Sequence, residues 1–217
     1  MDDKFAVCFA LAEEAGPFKQ VRGDKVPVFL TGIGRENAEK AAKEFLATHT
    51  PSLLMTCGFA GALIPELKIG DVIFEIPAKG GAGDESYAAV RSKLAAAGAR
   101  EAKIFCAERI ATTVADKKKL REDTGADAAE MESGAVQAAC SARGIPCVTV
   151  RVISDTASQD LPLDFNNFMK EDKSLDMSKL MMAVAKAPWK MGALMELQKN
   201  TKLAAQRLAD ALVKAIG

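Results

Sequence analysis

Short apolar runs alternate along this chain with stretches of helical periodicity. Phe5 to Leu11 and Val26 to Thr31 predict two strands, and Arg35 to Leu46 then places Ala38, Ala41, Ala42, Phe45 and Leu46 on one helical side. A strand over Ser52 to Thr56 is expected to run into a turn of small residues, Gly58-Phe59-Ala60-Gly61. Val72 to Ile76 predicts another strand, followed by a glycine-rich loop from Lys79 to Asp84. Ile104 to Cys106 reads as a strand, and Asp116 as the cap of a charged helix beginning at Lys117. Glu132 to Arg143 looks helical and stops at Gly144. Cys147 to Ile153 is the β-branched run expected of a central strand buried on both faces. From Phe165 to Ile216 the composition is helical, broken at Pro188-Trp189. The order is that of an α/β domain closed by C-terminal helices over about 178–217. No repeat or linker divides the chain, so residues 1–217 are expected to form a single domain.

Composition narrows the functional classes. Hydrophobic residues at 49% and charged residues at 27% suit a packed core. The 29 basic and 29 acidic side chains cancel, which argues against nucleic acid as a partner. A single histidine, His49, excludes zinc sites built on several histidines, so no metal is expected and acid–base chemistry falls to carboxylates. The five cysteines are scattered, with no CxxC pair, and read as small buried hydrophobes. The apolar run after Met1-Asp2-Asp3-Lys4 is too short for a signal peptide, and nothing approaches the roughly 20 apolar residues of a membrane span. A cytoplasmic location is the expectation.

Four segments lie where strands should end, the usual place for sites in such folds. Glu13-Glu14 follows the first strand; it is either a general base in a cleft or a pair of acids at a helix start. Gly32-Ile33-Gly34 precedes a helix and could expose backbone amides to an anion or simply turn the chain; Asn37 occupies the third glycine position of a dinucleotide fingerprint. Glu130-Met131-Glu132-Ser133-Gly134 could hold a sugar diol or merely supply acids to a helix N-terminus. Arg151 within Cys147 to Ile153 needs a buried partner or a functional role, and Asp155 falls at that strand's end.

Together with CGFAGAL at Cys57 to Leu63, GDVIF at Gly70 to Phe74, EMESGAV at Glu130 to Val136 and RVISDTA at Arg151 to Ala157, these segments resemble the nucleoside phosphorylase and nucleosidase superfamily. The similarity is to its methylthioadenosine/S-adenosylhomocysteine nucleosidase branch. The resemblance implies a three-layer fold with a central mixed β-sheet flanked by helices. It also implies cleavage of the N-glycosidic bond of a purine nucleoside, expected to be a 5′-substituted adenosine. Asp155 would then protonate or hydrogen-bond the base at N7, with Ser154 beside it as a substrate-binding residue. Glu132 would hold the ribose hydroxyls with Met131 packed on the sugar, and Glu14 would activate water with help from Arg151. Backbone groups near Ile110 would face the base, and Phe59, Ala60 and Gly61 would line the substrate site. No cofactor is implied, and phosphate would be a co-substrate only in a phosphorylase.

Departures from that pattern refine the expectation. Phe59 stands where the nucleosidases usually carry a serine, and Thr56 and Phe59 stand near where hexameric phosphorylases place phosphate-binding Arg and Ser. Water is therefore favoured over phosphate, with phosphorolysis and a non-catalytic nucleoside-binding protein as the alternatives. Arg109 replaces the usual base-stacking aromatic, and the stretch from Phe74 to Ile104 is short, implying a more open 5′ side. The segment from Leu180 through Trp189 to Leu197 resembles the tail of the hopanoid-associated nucleosidase branch; it is either a surface for membrane contact or an amphipathic stretch packed on the sheet or at a subunit interface. The family resemblance also implies a homodimer or higher homo-oligomer.

Overall fold

The computed structural model describes residues 5–22, 25–77, 84–170 and 176–217. Most of the glycine-rich loop expected from Lys79 to Asp84 lies outside these residues. Among the described residues there are eight strands: β1 (Ala6–Phe9), β2 (Val28–Leu30), β3 (Leu54–Ala62), β4 (Val72–Glu75), β5 (Arg100–Glu101), β6 (Ile104–Cys106), β7 (Ala128–Glu130) and β8 (Cys147–Asp155). The helices are α1 (Ala12–Arg22), α2 (Arg35–Thr48), α3 (Asp84–Ala96), α4 (Val114–Thr124), α5 (Ser133–Ser141), α6 (Met177–Lys186) and α7 (Met191–Ile216). The strand order β2-β1-β3-β8-β4-β5 forms one mixed sheet, with β8 antiparallel to β4 and parallel to β3. β7 joins the far end of β3 in antiparallel fashion and carries β6 beside it.

Period-two alternation distributes most strand residues between two cores, and a third, smaller cluster gathers Ile73, Ile104, Ala128 and Ile153. Ala6, Cys8, Leu54 and Cys147 face α2 and α5, where Ala38, Ala42, Leu46, Val136 and Cys140 meet them. Val7, Phe9, Met55, Val148 and Val150 face the opposite way, onto Phe18 of α1 and Ala204, Leu208 and Leu212 of α7. All nine residues of β8 are buried, as the two-face pattern predicts. All five cysteines are free, four of them buried.

Two sequence expectations are corrected here. The small residues Gly58 to Gly61 form no turn: β3 runs straight through to Ala62. Partners on both sides keep it extended, β8 along its length and β7 at Gly61 and Ala62, with one register shift between Ala60 and Gly61. The charged helix starts earlier than Lys117. Thr113 caps α4 by accepting from the Asp116 amide, and the Asp116 carboxylate in turn accepts from the Thr113 amide. The helical C-terminus divides into a short 3-10 turn at Phe165–Phe168, α6, and the long α7, with the break at Pro188-Trp189 where expected. Among the described residues no helix is long and apolar enough to cross a membrane.

Candidate active site

The C-terminal ends of β1, β3, β7 and β8 converge on a cavity of about 220 Å³. Its walls are mostly apolar, with a few polar groups converging on the interior, the usual composition of a small-molecule site. Of the residues singled out in the sequence, Glu14, Phe59, Ala60, Gly61 and Ile110 line it. Met131, Glu132, Ser154 and Asp155 do so as well. Arg151 does not: its side chain lies behind the wall, 1% exposed.

Glu14 sits in the first turn of α1 yet points inward and is buried. Its Oε1 accepts the Phe59 amide at 2.9 Å and its Oε2 the Leu11 amide at 2.9 Å. Gly58 makes this approach possible, since a Cβ there would lie 2.9 Å from Glu14 Oε1. Burial raises the Glu14 pKa, against the lowering effect of those two amides and the Arg151 charge.

Glu132 caps α5, and its Oε1 accepts the Gly34 amide at 2.8 Å. The glycine turn therefore does offer an amide to an anion, but the anion is the protein's own carboxylate. Burial, and next the charge of Glu130, push Glu132 up to about 7.

Arg151 is answered by Glu130, which the sequence marks within its acidic motif but not as the partner of this arginine. The two form a buried ion pair, while Arg151 Nη1 also donates to the Thr56 carbonyl at 2.6 Å. Glu130 further accepts the amides of Glu132 and Ser133 and the Ser133 hydroxyl at 2.6 Å. Burial works against its charge, but Arg151 and these donors prevail and its pKa is lowered. Arg151 thus reaches Glu14 only through its charge, not by a hydrogen bond. The demand of a buried arginine for an acid was legible; the choice of Glu130 over its neighbours required the register of β7.

Asp155 ends β8. Its Oδ2 accepts the Ser154 hydroxyl at 2.8 Å, and its Oδ1 accepts Lys117 Nζ at 2.5 Å. The sequence alone does not mark Lys117, which it shows only as part of a charged helix. Ile110 lines the cavity, but its backbone is already engaged. Its amide donates to Asn166 Oδ1 at 3.0 Å and its carbonyl accepts from Asn166 Nδ2 at 3.0 Å. Arg109 reaches the rim with its side chain 75% exposed, 3.7 Å from Asp116. Leu197 of α7 closes part of the wall, so the C-terminal segment contributes directly to the cavity. His49 stacks on Phe45 at the far end of α2 and takes no part. Among the described residues no cluster of His, Cys, Asp and Glu has the makings of a metal site.

An aminodeoxyfutalosine nucleosidase of Campylobacter jejuni is 30% identical over 176 residues, spanning 70% of this chain and 77% of that protein. A 5′-methylthioadenosine/S-adenosylhomocysteine nucleosidase of Shewanella halifaxensis is 28% identical over 176 residues, 69% of this chain and 76% of that one. The futalosine hydrolase of Helicobacter pylori superposes with a TM-score of 0.71 at 16% identity, covering 100% of this chain and 98% of the other, which shows a common fold. The pattern of the phosphorylase superfamily matches residues 15–74 and 87–216, which take in Glu132, Arg151 and Asp155. This chain belongs to the phosphorylase superfamily.

Proposed function

We propose that the protein is a nucleosidase that hydrolyses the N-glycosidic bond of a purine nucleoside, a 5′-substituted adenosine, with water as acceptor. The observation that carries this reading is the convergence of Glu14, Glu132 and Asp155, all buried, on one cavity at the strand ends. In the reaction the C1′–N9 bond breaks and its electron pair stays with the base, while Asp155 delivers a proton to N7. A water oxygen bonds to C1′ and gives its proton to Glu14, whose raised pKa suits a base. Glu132 accepts hydrogen bonds from the ribose hydroxyls, and Met131 packs on the sugar. Arg151 serves by holding Glu130 and by its charge. The scheme uses no cofactor.

Water is favoured over phosphate because the cations lining the cavity are Arg109, at the exposed rim, and Lys117, which is fully engaged. Thr56, where a phosphate ligand would be sought, gives its carbonyl to Arg151. Asp155→Asn and Glu14→Gln test the assignment by adenine release from a 5′-substituted adenosine. Loss of a general acid or base lowers turnover by about 10²–10⁴-fold. Wild-type turnover in both variants would refute the assigned roles.

The proposed partners are the nucleoside, a second copy of the chain, and a membrane surface. The resemblance alone supports the homo-oligomer. Membrane contact is supported by Trp189, Met181, Met182 and Met195, all exposed on α6, the Pro188–Lys190 turn and α7.

A further inference from the structure

Lys117 lines the cavity and has no part in the reaction outlined above. It is the first of three consecutive lysines on α4. Lys118 and Lys119 have side chains 76% and 75% exposed and pair along the helix with Glu122 and Asp123. Lys117 instead turns inward and its side chain is 1% exposed, a costly place for a cation unless its charge and its protons are all met. They are met. Nζ donates to Asp155 Oδ1 at 2.5 Å, to the Thr156 carbonyl at 2.7 Å and to the Gln159 carbonyl at 2.9 Å. Three acceptors call for three N–H donors, which only the ammonium form supplies.

The other carboxylate oxygen, Asp155 Oδ2, takes the Ser154 hydroxyl. Both oxygens are therefore held, and the carboxyl group cannot rotate without breaking one of these bonds; with Oδ1 on the ammonium, the proton delivered to N7 is the one carried on Oδ2. Gly61 leaves the space it occupies: a Cβ at that position would lie 3.1 Å from Asp155 Oδ1. Through Thr156 and Gln159 the same ammonium also ties the segment after β8 to α4.

We infer that Lys117 is a positioning residue for departure of the base, anchoring Asp155 Oδ1 so that the carboxyl group meets the purine in one orientation. This rests on the nucleosidase reading above. Lys117 acts through Asp155. Misplacing a reacting group by about 1 Å costs on the order of 10²-fold in rate, which sets the size of the effect.

The test is a double-mutant cycle on kcat for adenine release from a 5′-substituted adenosine, using Lys117→Met, Asp155→Asn and the two combined. Lys117→Met is expected to lose on the order of 10²-fold in kcat with KM nearly unchanged. In the Asp155→Asn background the same substitution is expected to add nothing, because its effect passes through that carboxylate. Should Lys117→Met alone not fold, Lys117→Arg, which keeps the buried charge but moves its donors, takes its place in the same cycle with the same expected and contrary results. Wild-type kcat in Lys117→Met would overturn the inference. So would a further loss of about tenfold or more on adding Lys117→Met to Asp155→Asn, since the two effects would then be independent. If the wild-type protein releases no adenine, the nucleosidase reading falls first, and this inference with it.

Discussion

Glu132 ionises near neutrality because it is buried beside the charge of Glu130, whereas Glu130 is held charged by Arg151. A carboxylate accepts two hydroxyl hydrogen bonds better than a carboxylic acid does. The dependence of kcat/KM on pH should therefore show nucleoside capture improving as pH rises through about 7; a flat profile across neutral pH would contradict the ribose-binding role. Stability runs the other way for this group. The folded state keeps a proton between the ordinary value of 4.5 and about 7 that the unfolded chain has released. The Glu132 contribution is thus full in acid and falls as pH rises towards 7. Glu130, with its pKa lowered, contributes above its unfolded value and loses that contribution in acid. Arg151→Met leaves Glu130 buried without its counter-charge, and is expected to cost about 3–5 kcal/mol of stability, measurable by urea unfolding. A loss below about 1 kcal/mol, the scale of a surface pair, would mean the pair is not the buried anchor described. At this scale the sequence announced Arg151 and Asp155 by chemistry alone. It could not single out Lys117 from Lys118 and Lys119, because the choice depends on the phase of α4 against β8.

The 3-10 turn at Phe165–Phe168 brings the Asn166 amide onto the backbone of Ile110, accepting from its N–H and donating to its C=O. A purine that uses those two groups must displace Asn166 first. Asn166→Ala removes that competitor, and at about 1 kcal/mol net for each hydrogen bond, KM for the nucleoside should fall by roughly tenfold or more. A KM that is unchanged or higher would mean that the base does not bind against Ile110. The elements themselves were largely legible. The apolar runs located β1, β2, β4, β6 and β8, and the 3.6-residue spacing located α2 and α5. Gly58 to Gly61 misled because small residues signal turns only when no neighbouring strand claims their backbone; here β7 and β8 do. The start of α4 was misplaced because Thr113 and Asp116 cap it reciprocally, and either residue alone reads as the cap.

Across the whole molecule the charges cancel, yet they are unevenly placed. Between residues 176 and 202 five lysines stand against Asp176 and Glu196, on the stretch that exposes Met181, Met182, Trp189 and Met195. Exposed apolar side chains with lysines around them suit an anionic bilayer surface. Trp189 is the sole tryptophan and is 77% exposed, so its emission reports the contact directly. A blue shift with phosphatidylglycerol-containing vesicles, absent with phosphatidylcholine alone, is expected. No shift with either would remove the membrane from the account. The same segment supplies Leu197 to the cavity wall, so a surface that docks there would lie close to the substrate cavity. Hydrolytic release of a purine is tested by incubating the protein with a 5′-substituted adenosine, with and without phosphate, and following adenine and the sugar product. Adenine release at the same rate in both, with free 5′-substituted ribose as product, is the predicted result; adenine release that requires phosphate and yields a ribose 1-phosphate would contradict it.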